Sequence, residues 1–300
     1  MPSGPELSVR LKRRITEPPA LIVPGVANAL AALVVERIGF EAAYVTGAGV
    51  ANTYLGVPDI GLVTLTELRE HVAAIRDVIE LPLIVDADTG FGNPIGVQRT
   101  VRQLEHAGAN ALQLEDQVSP KRCGHFGGKS VVSTQEMVQK IRAAVDARVH
   151  DSTLIIARTD ARATEGFDAA LDRVMAYEDA GADMTFLEAP QSAEELLSIP
   201  ARMSVPQVVN LVEGGVTPLL PAEQLAEFGI VLFANAALQA SVHGMDVALR
   251  RLRETGSLPD IVADLAGWEE RQGLVRKAYY DKLELAYSQD PAATGAPAGS

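Results

Sequence analysis

Leu83-Ile84-Val85-Asp86-Ala87-Asp88, then Val97–Ala107, then Gly108 and Ala111-Leu112-Gln113-Leu114-Glu115 read as a strand, a helix, a stop and a second strand. Short, mostly apolar runs that end on carboxylates suit strands buried on both faces, and helical spacing between them suits a crossover helix. A glycine just past the last apolar turn relieves a left-handed C-cap, so the next strand follows within a few residues.

The same unit recurs in both directions along the chain. Further strand-like runs lie at Leu21–Val23, Ala42–Thr46, Leu154–Thr159, Met184–Glu188, Gln207–Asn210 and Ile230–Ala234. Helical spacing recurs at Ala27–Ile38, Leu65–Val78, Thr134–Ala147, Phe167–Ala180 and Ala222–Phe228, and Gly39, Gly181 and Gly229 repeat the stop signal. Eight βα units predict an α/β fold of the (β/α)8 TIM-barrel type; a doubly wound sheet is the alternative, because closure is invisible in one sequence. Helical stretches at Leu238–Arg253 and Ile261–Tyr287, joined by Gly256-Ser257-Leu258-Pro259, fall outside the eight units. The expected organisation is a disordered N-terminus over 1–8, a barrel over 9–255, C-terminal helices over 256–287 and a disordered tail over 288–300.

Across 300 residues, 26 Lys and Arg face 39 Asp and Glu, and the net charge of −13 argues against nucleic acid or an anionic membrane as partner. With 47% apolar and 22% charged residues, the composition excludes a disordered chain. No apolar run approaches the roughly 18 residues of a membrane span, and Arg10, Lys12, Arg13 and Arg14 are not followed by a signal-peptide core, so a cytoplasmic protein is expected. Cys123, the single cysteine, has no partner in the chain for a disulfide.

In a barrel, chemistry belongs at the C-terminal strand ends. Polar residues gather there: Thr46-Gly47-Ala48-Gly49, Asp86 and Asp88, Glu115-Asp116-Gln117, Arg158-Thr159-Asp160, Glu188, and Asn210 with Glu213. Asp86 and Asp88 alternate and can aim at one point. Carboxylates converging there suit Mg²⁺ or Mn²⁺ held partly through water, whereas helix capping would account for either residue alone. Arg158 follows an apolar run and emerges at the mouth, where it can meet a substrate carboxylate or form a salt bridge to Glu115 or Glu188. Lys121-Arg122-Cys123-Gly124-His125-Phe126-Gly127-Gly128-Lys129 surrounds the thiol with cations that lower its pKa, suiting proton transfer on a glycine-rich loop. Gly128-Lys129-Ser130 lacks the opening glycine of a phosphate-binding loop, and Thr46-Gly47-Ala48-Gly49-Val50 lacks the third glycine of a dinucleotide fingerprint. His71, His106, His150 and His243 read as surface residues.

Four runs resemble the isocitrate lyase and phosphoenolpyruvate mutase superfamily. They are Val85-Asp86-Ala87-Asp88-Thr89-Gly90-Phe91-Gly92-Asn93, Leu114-Glu115-Asp116-Gln117, Lys121-Arg122-Cys123-Gly124-His125 and Ala157-Arg158-Thr159-Asp160-Ala161. The similarity spans nearly all of Leu21–Arg253, and the Lys-Arg-Cys-Gly-His run is specific to the lyase side. The resemblance implies a (β/α)8 barrel whose C-terminal helices swap between subunits of a homotetramer. It further implies that Asp86 and Asp88 hold Mg²⁺ or Mn²⁺ with the help of waters, with Asp59 and Glu115 around them. Thr46, Gly47, Ala48 and Arg158 then bind the keto-acid half of a small hydroxy-acid substrate, Glu188, Asn210 and Thr217 line the other half, Gly124 and His125 also bind substrate, and Cys123, the general acid, is catalytic together with Arg158 and Glu115.

The implied activity is metal-dependent carbon–carbon cleavage of 2-methylisocitrate or a substituted malate to a 2-keto acid and a carboxylate. Carboxyphosphonoenolpyruvate phosphonomutase and oxaloacetate hydrolase activities are the alternatives within the superfamily. A catalytically silent barrel is the alternative class, and such a scaffold has no need of Asp86, Asp88, Arg158 and Cys123 together. Two departures bear on the substrate: Thr46 stands where serine is usual, and Gln239 stands where tricarboxylate-cleaving members place arginine, with Arg271 a candidate to compensate.

Overall fold

The computed structural model describes residues 3–122, 124 and 128–288. Its strands are β1 Leu21–Val26, β2 Ala43–Val45, β3 Leu83–Asp86, β4 Ala111–Glu115, β5 Leu154–Thr159, β6 Met184–Leu187, β7 Gln207–Asn210 and β8 Ile230–Phe233. They pair in parallel in sequence order, and β8 closes on β1 in the register Leu21↔Ile230 to Pro24↔Phe233. Closure excludes the doubly wound alternative, which would leave two sheet edges, and the (β/α)8 expectation holds.

Inward-facing residues alternate along each strand, as a two-residue period requires. Leu21 and Val23, Ala42 and Tyr44, Ile84, Ala111, Leu154 and Ile156, Met184 and Phe186, Val208, and Ile230, Leu232 and Ala234 form one buried cluster. The crossover helices bury their own stripes outside it. In Pro94–His106, Asn93 caps the first turn by accepting from the Ile95 and Gly96 amides, Pro94 takes the first position, and Val97, Thr100, Val101 and Leu104 are buried at helical spacing. This helix starts three residues before the stretch at Val97–Ala107 because the capping pair Asn93-Pro94 extends it.

Gly39, Gly108 and Gly181 adopt the left-handed conformation expected of helix stops, at φ 99°, 106° and 102°. Gly229 serves differently: a Cβ there would lie 2.7 Å from Pro206 Cβ and 2.9 Å from the Ile15 carbonyl oxygen, so close approach demands the glycine. The helix expected over Ala222–Phe228 shrinks to a tight turn, Ala222–Leu225, and a helix at Ala193–Ser198, capped by Ser192, occupies the β6–β7 crossover.

The expectation of disorder over 1–8 fails from Ser3 onward. Helix Gly4–Arg14 starts in a reciprocal cap, with Ser3 Oγ accepting from the Glu6 amide and Glu6 Oε2 accepting from the Ser3 amide. Asn110 Nδ2 donates to the Gly4 carbonyl at 2.9 Å and to Ser8 Oγ at 3.0 Å, and Leu11 and Ile15 join the barrel cluster. Leu7 and Leu11, one helical turn apart, bury a face that ties this end down.

The chain divides into two compact units, Met1–Gln239 and Ala240–Ser300. Helix Ala236–Thr255 covers the expected Leu238–Arg253; beyond it the stretch at Ile261–Tyr287 breaks into a turn at Val262–Asp264 and helices Trp268–Leu274 and Lys277–Tyr287. Residues 289–300, most of the expected tail, lie outside the described residues. Among the described residues no helix is long and apolar enough to cross a membrane.

Because Leu11 is 1% exposed and packs into the barrel cluster, Leu11→Ala is expected to lower unfolding stability by about 2–5 kcal/mol. Urea denaturation followed by circular dichroism measures it; a loss below about 0.5 kcal/mol would show the helix to be a surface appendage.

Candidate active site

The inward residues that end the strands continue the interior layers by one more step of two. Tyr44 leads to Thr46, Ile84 to Asp86, Ile156 to Arg158, Phe186 to Glu188, and Val208 to Asn210. One cavity at the C-terminal mouth is lined by Tyr44, Thr46, Ala48, Asp59, Asp86, Glu115, Lys121, Arg122, Gly124, Arg158, Glu188, Asn210, Leu232, Ala234 and Asn235. Most of the residues singled out from sequence therefore meet. Gly47, Asp88 and Thr217 are not part of this lining, although Gly47 lies against Asp86 and Asp88; the buried Thr217 hydroxyl has no partner among the described residues. Cys123 and His125 lie outside the described residues.

Asp88 reaches the site by a route the sequence reading missed. β3 ends at Asp86, and Asp88 sits beyond it at φ 48°, a left-handed backbone that is uncommon outside glycine. Convergence of the two carboxylates thus comes from a turn and not from strand alternation. The position a Cβ on Gly47 would take lies 3.2 Å from Asp86 Oδ2, 3.2 Å from Asp88 Oδ1 and 3.5 Å from Lys121 Nζ. A side chain there would fill the space into which these groups point.

Lys121 Nζ stands 2.5 Å from Asp59 Oδ1 and 2.9 Å from Asp88 Oδ1. Burial disfavours its charge, yet Asp88, Glu115, Asp86 and Asp59 together hold its pKa well above the usual lysine value. Burial raises Asp88 to about 6 against the opposing pull of Lys121, and burial likewise pushes Glu115 well above the carboxylate range. Burial and neighbouring Asp86 keep the Tyr44 hydroxyl protonated. The sequence named Lys121 only as a neighbour of the thiol; its position two residues from Cys123 gave no sign that it would pair with Asp59, some sixty residues earlier.

Arg158 is enclosed by three carboxylates. Its Nε and Nη2 donate to Asp160 at 3.0 and 3.1 Å, Glu115 lies at 3.4 Å and Glu188 at 3.7 Å, and the guanidinium rests 5.1 Å from the Phe186 ring centre. Both salt bridges considered from sequence are present, and Asp160 is the tightest partner. Burial would raise Asp160, but Arg158 and Lys129, the latter at 2.8 Å, outweigh it and hold the carboxyl at about 2. Lys129 Nζ also donates to the Gly124 carbonyl, and a Cβ on Gly124 would strike Arg158 Nη2 and lie 2.9 Å from Glu188 Cγ, so only glycine fits there.

The donor set fits a hard divalent cation. Glu115 Oε1 is buried without a hydrogen-bond partner among the described residues, and Asp86 and Asp88 bring oxygens to one point. Among the described residues no three His, Cys, Asp or Glu side chains form a complete cage, and Mg²⁺ ordinarily keeps several waters and takes only one or two carboxylates. Asn210 and Asn235 also line the cavity, with amide oxygens that lack partners among the described residues. Asn235 escaped the sequence reading although it directly follows the eighth apolar run, the position that marked candidates on other strands. His71, His106 and His150 do not line the cavity, and His243 is exposed.

A family model described as phosphoenolpyruvate phosphomutase matches residues 11–253. The 2-methylisocitrate lyase of Aeropyrum pernix is 44% identical over 281 residues, covering 93% of this chain and 90% of that protein. The 2,3-dimethylmalate lyase of Eubacterium barkeri is 41% identical over 272 residues, covering 89% and 94%. A crystal structure of 2,3-dimethylmalate lyase superposes with a TM-score of 0.89 at 34% identity, covering 99% of both chains.

Removing the buried ammonium leaves Asp59 and Asp88 facing each other uncompensated. Lys121→Met is expected to lose about 3–5 kcal/mol of stability in chelator at pH 8, with Mg²⁺ restoring part of it. Urea denaturation with and without Mg²⁺ tests this, and an unchanged midpoint in chelator would contradict it.

Proposed function

Because the chain belongs to the phosphoenolpyruvate mutase and isocitrate lyase superfamily, we propose that it is a carbon–carbon lyase dependent on Mg²⁺ or Mn²⁺. Its substrate is a 2-hydroxy di- or tricarboxylate, a substituted malate or 2-methylisocitrate, cleaved to a 2-keto acid and a carboxylate. The observation that carries this reading is the cavity lined by both Asp86 and Arg158, with Asp88 Oδ1 brought beside Asp86 Oδ2 at Gly47.

Asp86 and Asp88, with Asp59 and Glu115 behind them, would hold the divalent cation, which would supply Lewis-acid polarisation of the substrate's C2 oxygen. Arg158 binds the adjoining carboxylate through Nη1, which Asp160, held by Nε and Nη2, does not occupy and which stands 3.7 Å from Glu188 Oε2. Thr46, Gly47 and Ala48 assist at the same carboxylate, since the first amides of a helical turn need partners from outside it. Thr46 caps that turn, its hydroxyl 3.5 Å from the Gly49 amide. Glu188, Asn210 and Thr217, with His125, contact the departing half. Cys123 lies in the chain between Arg122 and Gly124, both of which line the cavity, and it delivers a proton to the former C3. The reading extends to a cytoplasmic homotetramer that exchanges its C-terminal helices; exposed Val242, Met245, Leu249 and Trp268 support an apolar contact there.

Incubated in D₂O with Mg²⁺ and each candidate acid, the protein is expected to release a 2-keto acid and a carboxylate carrying one deuteron at the former C3. Chelation should abolish turnover. Cys123→Ala should reduce kcat by about 10²–10⁴ while leaving the fold intact. Product analysis by NMR decides the matter: failure to cleave any of these acids, with carbon–phosphorus bond formation from a phosphoenolpyruvate derivative, would favour a mutase instead.

A further inference from the structure

Tyr44 on β2, at the cavity wall, and Gln113 on β4, outside its lining, point into the barrel from the two strands that flank β3. Tyr44 Oη donates to Gln113 Oε1 at 3.0 Å, and Gln113 Nε2 donates to Asp86 Oδ1 at 3.3 Å. The order of this chain is forced. A carboxylate can only accept, so the amide turns Nε2 toward Asp86, which leaves Oε1 to the one side chain able to donate to it, the tyrosine hydroxyl.

Asp86 Oδ1 also accepts from the Asp88 amide at 3.2 Å. Two donors therefore hold one oxygen, and the other, Oδ2, faces the point shared with Asp88 Oδ1. Packing alone asks for none of this. Phenylalanine and leucine would fill the same interior positions without placing an amide, 1% exposed, in the middle of the barrel, where an unsatisfied polar group is costly.

We propose that Gln113, oriented by Tyr44, is a positioning residue that selects which oxygen of Asp86 is presented to the cation. The inference rests on the reading of Asp86 and Asp88 as cation ligands. Neither residue touches the cation or the substrate in this role; both act through Asp86.

The test is direct Mn²⁺ binding to the full-length protein without substrate, followed by electron paramagnetic resonance. Gln113→Leu is expected to weaken Mn²⁺ binding by about 10- to 100-fold and Tyr44→Phe by about 3- to 10-fold, as loss of a partner behind a metal ligand does. Because the two act in series, the double variant should bind no more weakly than Gln113→Leu alone. At saturating Mn²⁺, kcat should return toward the unaltered value, a split between metal affinity and turnover that a merely structural defect would not give. Tyr44→Phe removes one oxygen and carries the test if Gln113→Leu does not fold. Affinities within twofold of the unaltered protein in the folded variants, or additive losses, would overturn the relay. Failure of the unaltered protein to bind Mn²⁺ would instead overturn the cation reading, and the relay with it.

Discussion

Closure of eight parallel strands sends every second side chain to the barrel axis, and most of the candidate active site is the last step of that alternation. Below Thr46, Asp86, Arg158, Glu188 and Asn210 the same strands supply Tyr44, Ile84, Ile156, Phe186 and Val208 to one cluster. Packing therefore determines where the polar groups stand. A slip of one residue in any strand would turn its site residue outward and its apolar neighbour into the cavity. The helix at Gly4–Arg14 belongs to the same arrangement, since Leu11 and Ile15 fill the opposite end of the cluster whose upper end carries the chemistry.

Burying that chemistry creates an imbalance of charge. Among the described residues Asp59, Asp86, Asp88, Glu115, Asp160 and Glu188 are answered by Arg158, Lys121 and Lys129. The cluster resolves into two parts. Around Arg158 and Lys129 the cations prevail, and Asp160 stays ionised down to about pH 2. Around Asp86 and Asp88 the single ammonium of Lys121 is outnumbered, and burial drives Asp88 and Glu115 toward their neutral forms. A region short of positive charge, rimmed by carboxylate oxygens with little room to relax, is where a divalent cation gains most from binding.

The hydrogen bonds behind the cavity wall extend this logic one layer further down. Asp116, wholly buried beside the barrel, accepts from Thr159 Oγ1, the Asp160 amide and Tyr177 Oη. Arg173 joins the same group and donates to the Val132 carbonyl. These bonds tie the end of β4 to the end of β5, the two strands that carry Glu115 and Arg158, so the carboxylate and the guanidinium share one rigid support.

The eight strands, the glycine stops at Gly39, Gly108 and Gly181 and the polar strand ends were legible in the residues, because alternation, apolar spacing and left-handed caps are local properties. Resemblance supplied the superfamily because Lys121 to His125 and Val85 to Asn93 are contiguous runs. What lay beyond the sequence were relations between residues far apart along it. The ion pairs of Lys121 with Asp59 and of Lys129 with Asp160 and the link from Tyr44 through Gln113 to Asp86 exist only once separate βα units are laid side by side. The anchoring of Leu11 was hidden for the same reason, whereas the left-handed turn at Asp88 is local and was hidden because its residue is not a glycine. Local spacing decides which element a residue joins, whereas the partner of a buried polar group is whichever group closure of the barrel brings within 3 Å or so, and one strand does not encode its neighbour's register.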